Sequence, residues 1–468
     1  MAVSAIAQPV YFSPAYNPLK FIFDSTNKNE AGFKYVFDIY ESGTANKIAE
    51  YRVLPRISDG YGELDISKLM QGFVDYDLNL SATEDATAPN SFYKYDLKVG
   101  EELVTEFDWT ANLTQNGTYT TITVTHSFVV GDRVVVDGGV ANPNLSGLYT
   151  VTAINTTIDF TINALWTQVD DATGNGSVRY SDNRKTITRD LATANNQYVY
   201  NAAFRHLDWI GYSEAPYILS GSTDKFITSI PTSNFYITPT QELYFNLCTN
   251  SVTTGRIYFE NDLGDKGYYV ANASGFVFQA NVGSTAVPST VTNGTLPIIK
   301  DTAKYYDVWY TNNANAQLSA KYRIYLDHRC TIEDYQILFV DRLGSIGSFA
   351  FQLRAYESGS ITRDTYNQDI QGAVTSTVWS YTSTEFGQKT FTVSAEKSLQ
   401  LNTNWMTEEM AEYFEELLTS PLTILKNGST YQPVIVTDSS YEIEKQRNNN
   451  LIKKTIVVKY ANQDIVNG

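Results

Sequence analysis

Residues 334–351 read DYQILFVDRLGSIGSFAF, and this stretch sets the fold class. Gln336 to Val340 is a strand-like apolar run. It meets a sharp corner, Arg342-Leu343-Gly344-Ser345-Ile346-Gly347, whose two glycines suit backbone angles that residues with side chains avoid. A second run, Ser348 to Leu353, leaves the corner. The pattern predicts a hairpin with Arg342, Gly344, Gly347, Phe349 and Phe351 as its structural motif. No nucleophile–base pair and no metal-ligand spacing falls within it, so it reads as architecture.

Outward from this hairpin, composition extends the same reading. At 468 residues the chain is too long for one ordinary core and predicts about three or four domains. Hydrophobic residues make up 43% and charged residues 18%, which is a globular balance. The 34 Tyr and 23 Phe, with abundant Thr and Val, favour strands over helices. The expected fold is mainly β: several β-sandwich or barrel domains in tandem, one inserted small β domain, and a C-terminal α+β domain with one amphipathic helix.

The domain boundaries follow changes of texture. Residues 1–107 with 182–225 read as an N-terminal β-sandwich. Residues 108–181 are nearly pure short strands with hairpin signals such as Gly131-Asp132, and read as a small β domain inserted at a loop tip. Residues 226–385 read as a second β-sandwich holding the opening hairpin. Residues 386–468 read as an α+β assembly domain. There Thr407 caps a helix that buries Met410, Phe414 and Leu417, and Pro421 ends it. Glu442 to Asn450 is polar and is expected in solvent. Thr455, Ile456, Val457, Val458 and Tyr460 form a terminal strand suited to edge addition between subunits.

The formal net charge of −17 argues against a protein that grips phosphate backbones. It permits an acidic wall past which nucleic acid slides without sticking. The two cysteines, Cys248 and Cys330, provide no disulfide scaffold. The N-terminus carries no secretory pattern, and no run reaches the roughly 18 apolar residues of a membrane span. Neither a membrane partner nor export is expected.

Catalytic chemistry finds little to stand on. The three histidines are His126, His206 and His328. His328 lies two residues from Cys330, without an oriented third partner. Asp75-Tyr76-Asp77 and Asp170-Asp171 read as solvated loop carboxylates rather than a calcium site. No phosphate-binding glycine loop, zinc spacing or EF-hand occurs. The expectation is no catalytic residues, no metal and no cofactor.

Motifs along the chain resemble virion proteins of tailed phages that infect Bacteroidetes, including crAss-like phages. Near the N-terminus these are Gln8-Pro9, Phe12-Ser13-Pro14-Ala15-Tyr16-Asn17-Pro18-Leu19 and Gly60-Tyr61-Gly62 with Asp65-Ile66-Ser67. In the hairpin, Ile337-Leu338-Phe339, Arg342-Leu343-Gly344 and Phe349-Ala350-Phe351 are similar to that group's I-L-F-x-N-R-x-G … F-x-F pattern. Asp341 stands where the pattern has Asn. Trp405, Ser420-Pro421 and Pro433-Val434 extend the likeness. The segment 108–181 resembles small β modules of phage structural proteins, through His126-Ser127-Phe128 and Gly147-Leu148-Tyr149-Thr150-Val151.

The resemblance implies a non-enzymatic tail ring or hub subunit. It would assemble with copies of itself and with neighbouring tail or portal proteins around the DNA path of the virion, without reading DNA sequence. The alternative is a head or tail fibre or decoration protein that binds host surface glycan through the inserted domain. A glycan-cleaving enzyme with an unassigned carboxylate pair is a third reading.

Overall fold

The structure, a computed structural model, describes residues 3–30, 32–80, 82–110, 113–116, 119–169, 171–249, 255–271, 276–286, 288, 290–329, 331–385, 387–437 and 452–462. Strands far outnumber helices, and the longest described helix is Glu408–Thr419. The chain is mainly β, with several antiparallel sheets and one amphipathic helix near its C-terminal end, as composition and patterning predict. It forms two compact units. The first comprises Met1–Tyr11, Pro18–Ser67 and Lys94–Tyr198, and the second Phe12–Asn17, Lys68–Tyr93 and Val199–Gly468.

In the first unit, Val3–Ala7, Lys20–Ser25 and Gly62–Asp65 form a three-stranded antiparallel sheet. Lys185–Tyr200, Phe92–Val104, Lys34–Glu41 and Lys47–Val53 lie side by side in a second sheet. Inward-pointing rings join the two: Phe23 meets Phe37 edge-on at 5.9 Å, and Phe21 meets Tyr95 at 6.5 Å. Charges line one strand face, where Glu50 pairs with Lys47 (2.9 Å) and Arg189 (3.0 Å), and Asp38 pairs with the same two cations.

The piece read as an insertion is a seven-stranded sheet that begins at Glu106–Thr110 and ends at Asn175–Tyr180, two strands that pair with each other. It has its own core, with Trp109, Ile122, Phe128, Val134, Phe160 and Val178 among the buried residues. At its neck the Thr105 amide donates to Arg184 O (2.8 Å), and the Thr105 and Thr186 hydroxyls are 2.6 Å apart.

The second unit holds a six-stranded sheet from Phe235–Ile237 to Thr290–Asn293 and a three-stranded sheet of Tyr244–Cys248, Val277–Asn281 and Asp85–Thr87. A further seven-stranded sheet has the order Ile346–Phe351, Tyr335–Val340, Thr423–Asn427, Thr430–Val436, Thr455–Tyr460, Gln388–Asn402, Tyr356–Asn367. Two features depart from the boundaries read in the sequence. Lys68–Tyr93 and the chain from Val199 onward belong to this unit, because Asp85–Thr87 pairs with Val277–Asn281 and the Ala203 amide bonds Arg342 O at 2.7 Å. The sheet also runs across position 385, since Tyr335–Val340 pairs with Thr423–Asn427. Pairings this distant in sequence leave no local trace in composition.

The Glu408–Thr419 helix starts where expected: Thr407 Oγ1 accepts from the Met410 amide at 3.4 Å, and Met410, Phe414 and Leu417 are buried. Phe414 meets Phe349 edge-on at 5.1 Å, which fixes the helix against the hairpin. Glu442 to Asn450 lies outside the described residues.

Candidate functional site: an exposed arm and the cleft at its base

The hairpin motif is internal architecture. Tyr335–Val340 and Ile346–Phe351 pair in register around a tight corner in which Asp341 N donates to Ser345 O at 2.8 Å. Gly344 sits at φ +84°, and a Cβ there would lie 2.1 Å from Asn201 O, so both conformation and space require glycine. Gly347 differs from expectation. It is an ordinary strand residue, and the space beside it is taken by the Tyr413 hydroxyl. Phe349 and Phe351 are buried against the helix. Arg342 is held within the chain, with Nε 3.1 Å from Glu416 Oε1 and a terminal nitrogen 3.7 Å from Asp208.

Asp341 organises the corner. Its Oδ1 accepts from the amides of Leu343 (3.0 Å) and Ser345 (2.9 Å). Its Oδ2 accepts from Thr228 Oγ1 (3.0 Å), Ser229 N (2.9 Å) and Ser229 Oγ (3.1 Å). Burial, helped by the nearby Glu416, pushes this carboxyl well above its ordinary range, and the donating amides and hydroxyls pull against that. A carboxylate satisfies five donors where an amide would present a donor of its own.

The strand expected to pair across subunits is not an edge. Thr455–Tyr460 is bonded on one side to Gln388–Asn402 and on the other to Thr430–Val436. Ile456 and Val458 point into the core, while Val457 and Tyr460 are half-buried. Thr455 is exposed, its hydroxyl donating to Asn402 Oδ1. Val458 and Lys459 are paired on both sides and the Val457 carbonyl is taken by the Thr437 amide, so among the described residues this part of the strand has no free edge to offer another copy.

The edge lies two strands further on. Tyr356–Asn367 pairs with Gln388–Asn402 through twelve residue pairs, from Tyr356 with Gln400 to Asn367 with Gln388. All 12 residues of Tyr356–Asn367 are exposed. The neighbouring sheet strand, Thr455–Tyr460, reaches only Ser398 to Asn402. Beyond that point the pair continues as a two-stranded ribbon. It ends in a small hairpin, Ala373–Thr375 with Val378–Ser380. Apolar side chains lie open along the arm: Ile361, Phe391 (74% exposed), Val374, Val378, Trp379 (53%) and Tyr381 (55%). Trp379 and Tyr381 lean together with ring centroids 5.5 Å apart. In sequence these residues look like core strands, because a period-two pattern counts apolar residues without showing whether anything covers them.

At its other end the Gln388–Asn402 strand leads into Thr403, Asn404 and Trp405, which help to line a cleft of about 550 Å³. The floor is apolar, with Phe349, Met406 and Met410, and the rim is polar. Arg329 binds Asp327 through two bonds (2.8 and 2.6 Å) and donates to Trp405 O at 2.9 Å. Burial resists ionisation of Asp327, but the hydrogen bonds from Arg329 outweigh it and hold the carboxyl below its ordinary range. Charge at the rim is therefore balanced internally. Asn404 Nδ2 donates to Gln352 Oε1 at 3.0 Å. Gln352 Nε2 is buried and makes no well-formed hydrogen bond among the described residues, yet it lies near enough to Asp327 to help hold that carboxyl down. Half of Trp405 is exposed.

Several of the remaining candidates have ordinary local surroundings. Asp77 accepts from the Asn90 and Ser91 amides and side chains. His328 Nε2 contacts Ala303 O. Cys248 is buried, and burial pushes its thiol well up. Cys330 and Asp170 lie outside the described residues. On the six-stranded sheet, Tyr268, Tyr258 and Trp309 stand in register across three strands. Arg256 and Lys321 cover Tyr268 and Trp309, and the rings pack on each other, so this ladder stabilises the sheet itself.

No family model matches the chain, and no curated protein matches it significantly. Among solved structures it is similar to the phage phi92 endosialidase, at 10% identity and a TM-score of 0.16, over 99% of this chain and 70% of that one. A score at that level carries no argument about fold or function.

Proposed function

We propose that the chain is a non-enzymatic structural component of a tailed phage virion, a tail ring or hub subunit that assembles with copies of itself around the DNA path. The observation that carries this reading is the exposed arm. A two-stranded ribbon is marginally stable alone in water. An open strand edge lined with aromatic residues is a surface that folded proteins normally cover. An arm of this kind gains its stability when another subunit packs on it. The hairpin and N-terminal motifs support a virion lineage through their resemblance to virion proteins of Bacteroidetes-infecting phages. The net charge of −17 suits a wall past which DNA moves without adhering.

The test is the oligomeric state of the purified full chain, by mass photometry and electron microscopy, with mass spectrometry of purified virions. Closed oligomers and a fixed copy number per particle are expected. A chain that stays monomeric, or one that is absent from virions, overturns the proposal.

A further inference from the structure

We infer that the cleft below the arm is the seat for the arm tip of a second copy of this chain, with Trp379 and Tyr381 entering over the Phe349, Met406 and Met410 floor. The inference rests on the assembly reading above and specifies the contact that makes it.

Three observations meet here. First, the tip is an apolar knob without cover: Val374, Val378, Trp379 and Tyr381 are all exposed. Secondly, the cleft is a hole of matching chemistry. Its volume of about 550 Å³ falls within the roughly 300–1,000 Å³ of pockets that bury ring systems. Its one strong cation, Arg329, is already neutralised by Asp327, so an uncharged ring fits better than a phosphate or carboxylate. The buried Gln352 Nε2 makes no well-formed hydrogen bond among the described residues, and a phenol oxygen such as that of Tyr381 offers it an acceptor beside the Asp327 carboxylate.

Thirdly, the occupant must come from another copy. The Gln388–Asn402 strand has 15 residues, and at about 3.3 Å per residue its far end stands roughly 45 Å from Thr403. A tip held that far out cannot enter the cleft at its own base. Knob and hole lie on different surfaces of one chain, so the contact is head-to-tail, the type that closes into a ring when the rotation allows.

The test uses two full-length variants. Trp379→Ala with Tyr381→Ala removes the knob, and Ala350→Trp fills the hole. Each alone is expected to weaken assembly at least about thirtyfold, the scale of a buried aromatic anchor. Mixed together, they retain one good knob and one good hole. They are expected to form 1:1 pairs that grow no further. If Ala350→Trp assembles like the wild type, or if the mixture stays monomeric, the seat is wrong while the assembly reading stands. If the wild type is monomeric at the highest concentration reached, both fall. Should Ala350→Trp fail to fold, Trp379→Cys with Asn404→Cys carries the same test. Oxidation of the assembled double variant is expected to link different copies, giving a ladder on non-reducing gels that neither single variant gives. An assembled sample with no such ladder overturns the seat.

Discussion

The hydroxyl of Tyr413 fills the space beside Gly347: a Cβ built on that glycine would stand 1.9 Å from Tyr413 Oη. The helix can lie this close to the hairpin only because the strand offers no side chain there. Gly347→Ala is expected to destabilise the second unit by roughly 3 kcal/mol, the upper range for overpacking a core. Tyr413→Phe is expected to lie within about 1 kcal/mol of wild type, because the buried hydroxyl makes no well-formed hydrogen bond among the described residues. Added to Gly347→Ala, it should restore part of the loss. Denaturant unfolding of the four proteins checks the cycle.

Asp341 reaches both sides of its corner, and Oδ2 alone takes three donors. Asp341→Asn turns an acceptor into a donor facing the Ser229 amide, and is expected to cost roughly 2 kcal/mol. Asp341→Ala, which strands all five donors, should cost more. Equal stability of the Asn variant and the wild type in denaturant unfolding would refute this account of the corner.

Hydrogen bonds from Lys47 and Arg189 hold Glu50 down, to about 2. A carboxylate lowered on folding contributes stability that is present above its unfolded value and is lost as pH falls through its folded value. The gap in melting temperature between wild type and Glu50→Gln should therefore narrow as pH is lowered from about 5 to about 2. Thermal melts across that interval measure it. A gap that stays constant would mean that the exposed network is too well screened to contribute.

The arm should exchange its amide hydrogens quickly while unassembled. Hydrogen exchange read by mass spectrometry is expected to show weak protection from Gly359 to Asn367. Protection should be strong from Tyr335 to Val340, where the strand is paired on both sides. Assembly should protect the arm. Equal protection of the two segments in the monomer would show that the arm is already covered.

The neck at Thr105, Arg184 and Thr186 brings the ends of the inserted sheet together. Replacing residues 106–181 by a short turn is expected to leave the rest of the chain folded and assembling, as judged by circular dichroism and mass photometry. The excised sheet keeps its own core. Loss of folding would show that this sheet supports the remainder.

Sequence alone determined the local features. The strands follow from apolar runs between turn residues, the φ of Gly344 from a corner that bends left-handed, and the start of the Glu408–Thr419 helix from its Thr407 cap. Each depends on residues within a few positions of one another, where steric and hydrogen-bonding preferences act directly. Tertiary structure decided the rest. It gave Gly347 to Tyr413, 66 positions away along the chain. It turned Thr455–Tyr460 from a candidate edge into an interior strand, and left Tyr356–Asn367 outside with its apolar residues uncovered. Alternation shows that a strand has an apolar side. What lies against that side is settled by pairings far apart in sequence, and those are selected by the packing of the whole unit.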